Sequence, residues 1–188
     1  FDRQNVMFDL NYFKYCFLKA SGLEFNEVQL QQDFERLADD LLRHDTDTFM
    51  YRDFNVRNVM VKDGCPYFID FQGGRRGPIY YDVSSFIWHA RAGYSEELKQ
   101  RMLDSYLDAL SIYIKVDRTR FMERLRLFRL FRVLQVLGAY GFRGWTEHKA
   151  NFVSSIPAAL NALAELIREP FERYPYLMEV LRQMLDLP

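Results

Sequence analysis

At 188 residues the chain is long enough for one domain with a substantial core, and 49% hydrophobic with 27% charged residues excludes a disordered polymer. A formal net charge of -1 gives no global pull toward nucleic acid or an anionic membrane, and no apolar run nears the roughly 20 residues of a membrane span. Cys16 and Cys65, the only cysteines, lack metal-ligand spacing and fit a reduced, cytoplasmic setting.

Aromatic residues make up 16%, with 17 Phe and 12 Tyr, so the core is expected to be built from large rings. The chain starts at Phe1 without a signal-peptide pattern and turns helical almost at once, which reads as a fragment of a longer protein. Val6, Leu10, Phe13 and Phe17 recur at helical spacing, and Gly22 supplies a stop. Leu30, Phe34, Leu37, Ala38, Leu41 and Leu42 mark a second amphipathic helix. Near Asp47 the pattern changes to short apolar runs, Phe49-Met50-Tyr51, Val59-Met60-Val61 and Tyr67-Phe68-Ile69. Lys62-Asp63-Gly64 between the last two is a hairpin signal, because Asp-Gly tolerates positive φ. Residues 73–78, rich in Gly and Arg, read as a loop, and Asp82 as the cap of a helix carrying Val83, Phe86, Ile87 and Ala90.

From Ser95 onward the sequence reads as helix. Leu103, Tyr106, Leu107 and Leu110 form one stripe, and residues 119–140 are apolar on most sides, as a central buried helix would be. Ile156, Leu160, Leu163, Ala164 and Ile167 mark the next helix. Leu177, Val180, Leu181, Met184 and Leu185 mark the last, after Pro175. The expected class is α+β and mostly α, a helical body with a small β-hairpin region between the second and third helices.

The chemistry concentrates in that region. Met50-Tyr51-Arg52-Asp53-Phe54-Asn55-Val56-Arg57-Asn58-Val59-Met60 places an aspartate and, five residues on, an asparagine; Phe68-Ile69-Asp70-Phe71-Gln72 adds a second aspartate beyond the hairpin. Phosphoryl transfer requires positioning, charge neutralisation by metal, and a group that takes the proton of the attacking hydroxyl. Asp53 fits the proton acceptor, while Asn58 and Asp70 offer the hard oxygens that Mg²⁺ prefers. A bare D-x-x-x-x-N is common by chance; a strand, loop, hairpin and Asp-Phe around it make it specific.

These residues resemble the phosphotransferase family that includes the aminoglycoside and choline kinases, relatives of the protein kinases. The segment 51–58 is similar to that family's catalytic loop, H-x-D-x-x-x-x-N, and Ile69-Asp70-Phe71-Gln72 to its magnesium motif. With Arg76-Gly77-Pro78 and Tyr81-Asp82 following, the resemblance is strongest to the bacterial branch that phosphorylates the cell-wall amino sugars N-acetylmuramate and N-acetylglucosamine at the anomeric hydroxyl. That branch reads H-R-D-F-H-S-R-N, I-D-F-Q, R-G-P and Y-D. The resemblance implies a kinase-like large lobe, ATP and Mg²⁺ as cofactors and a small-molecule acceptor. It also implies Asp53 as base, Asn58 and Asp70 as magnesium ligands beside the nucleotide, and Asp82 as a brace for the catalytic loop.

Three departures stand out. Tyr51 replaces the usual His, Asn55 replaces the branch's second His, and no Gly-rich loop or V-A-I-K-like strand occurs ahead of the first helix. The whole chain, residues 1–188, is therefore expected to be the C-terminal lobe of a longer enzyme, without the nucleotide-covering lobe and inactive alone. Two rival readings are a catalytically silent module on the same lobe and an RNA-associated protein using Arg118, Arg120, Arg124, Arg126, Arg129 and Arg132. The near balance of 25 basic and 26 acidic residues favours a paired polar face for those arginines instead. A protein kinase is disfavoured, because no A-P-E segment follows Asp70.

Of the other polar groups, Arg75 and Arg76 read as a solvated loop pair, and Arg57 as a structural or phosphate contact. His44, His89 and His148 lack ligand spacing. Trp88, Tyr94, Phe142 and Trp145 read as packing residues, with the turn expected at 140–145 the best of them as a substrate-site element.

Overall fold

The computed structural model describes residues 1–43 and 48–187. His44 and Asp47, where the change of pattern was placed, lie outside the described residues. The chain divides into two compact units, Phe1 with His44–Arg129, and Asp2–Arg43 with Leu130–Pro188. The observed class is the expected one, mostly α with short antiparallel strands.

In the second unit, α1 (Arg3–Phe13) starts where the Asp2 carboxylate accepts the Asn5 N–H, and it continues as a π-helical turn, Lys14–Leu18. Val6, Leu10, Phe13 and Phe17 are buried as their spacing requires, and Gly22 takes φ +81° after the turn. Asn26 caps α2 (Glu27–Leu41), whose side-chain oxygen accepts from Val28 and Gln29. The unit is completed by the second half of α5 (Arg118–Gly141), a π-helical turn Phe142–Thr146, α6 (Ala150–Val153), α7 (Ile156–Leu166) and α8 (Pro175–Leu185). Two acids buried on α2 tie down α8. Asp33, fully buried, accepts the Leu177 N–H at 2.7 Å, satisfying one of the free amides at the start of α8. Asp40 accepts from the Tyr174 hydroxyl at 2.6 Å and from Arg173 Nε at 2.7 Å. The Asp33 carboxylate thus does for an α8 amide what Tyr174, at the N-cap position, does not, while Asp40 anchors the side chains that lead into the helix.

The expected turn at 140–145 is helical. Gly138 and Gly141 are there for close packing: a Cβ at Gly138 would sit 2.9 Å from the Phe13 backbone nitrogen, and one at Gly141 would overlap the Cys16 carbonyl oxygen. Phe142 packs on Tyr12, and Trp145 stacks on Phe17 with ring centroids 4.8 Å apart. Alanine at 141 should therefore destabilise, although alanine is worth about 1 kcal/mol over glycine in a helix interior. Backbone must shift to admit the methyl, and overpacking of this kind costs about 1–3 kcal/mol. Urea denaturation of Gly141→Ala checks this; a stability equal to or above wild type would contradict it.

The first unit carries the strands. β1 (Thr48–Met50) pairs antiparallel with β4 (Arg75–Gly77), with Met50 opposite Arg75. β2 (Val59–Lys62) pairs antiparallel with β3 (Cys65–Phe68), with Lys62 opposite Cys65. Asp63 at φ +53° and Gly64 at φ +76° form the two-residue turn, as the Lys62-Asp63-Gly64 signal predicts. β4 corrects the loop expected at 73–78. Three residues reading Arg-Arg-Gly show no alternation, so only the partner strand 25 residues upstream makes them a strand.

Past β4, α3 (Tyr81–Ile87) packs on α4 (Glu96–Ser111), which Ser95 caps through the Leu98 N–H, and on the first half of α5. Val83, Ile87, Leu103, Leu107, Phe121 and Leu125 form one buried cluster. α3 ends before Ala90, and its N-cap is Tyr80. Asp82 thus lies inside the helix, correcting the expected cap, because its carboxylate is committed elsewhere.

Candidate active site

The loop that follows β1 is held by Asp82. One carboxylate oxygen accepts the Tyr51 N–H at 2.6 Å and the other the Arg52 N–H at 2.8 Å. Arg52 has φ +76°, a left-handed conformation that costs a long side chain roughly 1–3 kcal/mol and persists only when the surroundings over-determine it. The two charge-assisted bonds from Asp82 do so. Tyr51 makes a second tie, its hydroxyl donating to the Ile69 carbonyl. Desolvation, then the negative charges of Asp70, Asp53 and Asp82, hold the Tyr51 phenol above its ordinary pKa, so it stays a neutral donor.

One turn of 3-10 helix, Val56–Asn58, then brings Asn58 back under the loop. Its side chain is buried, and Nδ2 donates to the Asp53 carbonyl at 2.8 Å and more weakly to Asp70 Oδ2 at 3.4 Å. The Asn58 carbonyl accepts the Ile69 N–H at 3.0 Å, fixing the hairpin's return strand to the loop. This places Asp70, itself at φ +68°, beside Asn58. Gln72 Nε2 donates to Asp70 Oδ1 at 2.6 Å. Asp53, Asn58 and Asp70 are thus gathered at one end of the hairpin.

Orientation matters for what this cluster can hold. With Nδ2 given to the Asp53 carbonyl and to Asp70, the Asn58 amide is fixed, and its Oδ1 makes no hydrogen bond among the described residues. A neutral amide oxygen beside a carboxylate is a hard donor set of the kind Mg²⁺ takes, usually alongside water and phosphate oxygens. The residues therefore fit the cation.

The Asp53 side chain is 51% exposed, open to an incoming hydroxyl. Arg57 Nη2 lies 3.8 Å from its Oδ2 with 71% of its own side chain exposed, a contact too loose and too wet to matter much. Asn55, which stands where the resembling branch has its second His, is buried and donates Nδ2 to the Asp53 carbonyl at 3.0 Å and to Asp53 Oδ1 at 3.4 Å. It steadies the candidate base. Gln72 was quoted in the motif without a role; its spacing two residues past Asp70 was the available signal. Phe54 stacks on Phe86, ring centroids 4.7 Å apart.

The remaining expectations fall mostly on structure. Arg75 and Arg76 are in β4. Arg118 pairs with Asp104, Arg132 donates to Gln135, and the Arg129 guanidinium lies 4.4 Å over the Trp88 ring. His89 Nδ1 accepts the Arg91 N–H, and Tyr94 packs on Phe86. Burial pushes the Cys16 thiol up, away from thiolate character. No helix among the described residues is long and apolar enough to cross a membrane.

An N-acetylmuramate/N-acetylglucosamine kinase of Neisseria meningitidis serogroup B (strain ATCC BAA-335 / MC58) is 37% identical over 101 residues, 52% of this chain. The match spans 30% of that relative's length. A model of the phosphotransferase enzyme family matches residues 14–123, from the π-helical turn after α1 through α2, the candidate catalytic loop, α3 and α4 to early α5. The mostly helical architecture with its short antiparallel strands is that of the large, C-terminal lobe of a kinase-like fold, and the chain belongs to the phosphotransferase enzyme family.

Proposed function

We propose that the protein containing this chain transfers the γ-phosphoryl group of ATP to a hydroxyl of a small sugar or amino sugar, in the cytoplasm. The observation that carries the reading is the convergence of three residues, Asp53, Asn58 and Asp70, from one loop and one hairpin. Asn58 lies 3.4 Å from Asp70 and is hydrogen-bonded to the backbone of Asp53. The similarity to an amino-sugar kinase supports the acceptor class.

In this reading Asp53 receives the acceptor hydroxyl by hydrogen bond, orients its lone pair and takes its proton as the new bond to phosphorus forms and the bond from the γ-phosphorus to the departing ADP breaks. Asn55 and the Asn58 amide hold the Asp53 backbone and carboxylate in place. Asn58 Oδ1 and Asp70 would hold Mg²⁺, with Gln72 fixing the Asp70 carboxylate. Bound there, the cation would neutralise phosphate charge. Asp82 positions the loop without touching the substrate.

The isolated 188-residue chain is the C-terminal lobe of the parent enzyme in this reading, with no Gly-rich loop ahead of its first helix. ATP turnover by the chain alone should therefore be negligible. The test is a phosphotransfer assay of the full-length protein with Mg²⁺-ATP against amino sugars, aminoglycosides and choline-like alcohols. Phosphorylation of an amino sugar is the expected result. Failure of every alcohol, together with no metal-dependent ATP binding by calorimetry, would favour a silent module instead.

A further inference from the structure

Beneath the candidate catalytic loop, the first unit contains a cavity of about 340 Å³, within the range of small-ligand pockets (about 300–1,000 Å³). Phe54, Val83, Phe86 and Met102 give it an apolar floor drawn from the loop, α3 and α4. The Tyr106 ring adds a wall, and its hydroxyl is already spent on the Ile79 carbonyl at 2.8 Å. Burial pushes that phenol up to about 12, so it contributes no charge.

At the rim the chemistry changes. Arg101 and Ser105 stand four residues apart on α4, hence on one face of the helix. Arg101 is the only charged residue lining the cavity, and it makes no hydrogen bond or ion pair among the described residues. The Ser105 hydroxyl is likewise uncommitted. Among the described residues no carboxylate lines the cavity to neutralise the guanidinium.

We propose that this cavity binds a small carboxylate with an apolar body, the body between α3 and α4 and the carboxylate on Arg101 with help from the Ser105 hydroxyl. A guanidinium fork matches the two coplanar oxygens of a carboxylate. One cation balances one negative charge; a dianionic phosphate monoester would keep a charge uncompensated. A cationic ligand would meet Arg101 directly. The site is coupled to the reaction by position, because its floor residue Phe54 is the neighbour of Asp53 in the chain.

Calorimetry of the 188-residue chain with 4-phenylbutyrate and with the uncharged 4-phenylbutyramide tests the proposal without any phosphotransfer. The acid should bind at least about tenfold more tightly than the amide, as expected for a charge-assisted pair. Arg101→Gln, an exposed substitution whose fold circular dichroism can verify, should erase that difference. No binding of the acid, or equal binding of acid and amide unchanged by Arg101→Gln, would overturn it. A second arm rests on the proposed phosphotransfer and identifies the source of the carboxylate. If 4-phenylbutyrate raises the acceptor KM at constant kcat, the cavity belongs to an acid-bearing acceptor; if it alters kcat, it takes a separate effector.

Discussion

Replacing Asp53 with alanine in the full-length enzyme is expected to lower kcat by about 10²–10⁴-fold, the usual contribution of general acid–base catalysis, while leaving the acceptor KM within a few-fold of wild type. The carboxylate is half exposed and its backbone carbonyl, not its side chain, is what Asn58 holds. Truncation should therefore remove the proton acceptor and leave the loop and the Asn58 amide where they are. Because only the transition state draws on the base, the loss should appear in kcat and kcat/KM alike. Steady-state kinetics with the acceptor identified in the screen checks this. Turnover near that of wild type would end the assignment of Asp53 as base.

The Asp82→Ala variant should suffer in both stability and activity. Its carboxylate receives two backbone N–H groups, from Tyr51 and Arg52, and the second belongs to a residue in a left-handed conformation. Hydrogen bonds to a charged acceptor contribute about 1.5–3 kcal/mol each. Removing both, with relaxation of Arg52 offsetting part, should cost about 2–4 kcal/mol of unfolding free energy. For a chain of this size each kcal/mol shifts the melting temperature by roughly 2–4 °C. The relaxed loop would also carry Asp53 away from its productive position, so kcat should fall even where the variant remains folded. Thermal unfolding of the 188-residue chain reads the first effect and kinetics of the full-length protein the second. Asp82→Asn, which keeps one acceptor oxygen, should fall between. A loss below about 0.5 kcal/mol in the alanine variant would contradict the bracing role.

Much of this was legible because it is local. Helices with a single buried stripe, such as α2 and α8, follow from apolar spacing alone, and the Asp63-Gly64 turn follows from which residues accept positive φ. The three polar groups of the site were legible for the same reason: a five-residue step and a hairpin of fixed length leave the chain few ways to separate them. Three features were not. β4 has no strand pattern of its own, Asp82 looks like any acid at a helix start, and Gly141 looks like a turn former.

Local periodicity and spacing determined the helices, the hairpin and the identity of the residues that meet at the candidate site. Tertiary structure decided where single polar and small side chains spend their bonding capacity and their space: Asp82 on loop amides rather than its own helix, Asn55 on Asp53, Gly141 against a carbonyl, and Arg101, unpaired among the described residues, at the rim of an apolar cavity. The physical reason is range. Backbone propensity and hydrophobic periodicity act within a turn or a strand, whereas hydrogen bonds and close packing depend on partners tens of residues away that only the folded chain brings near.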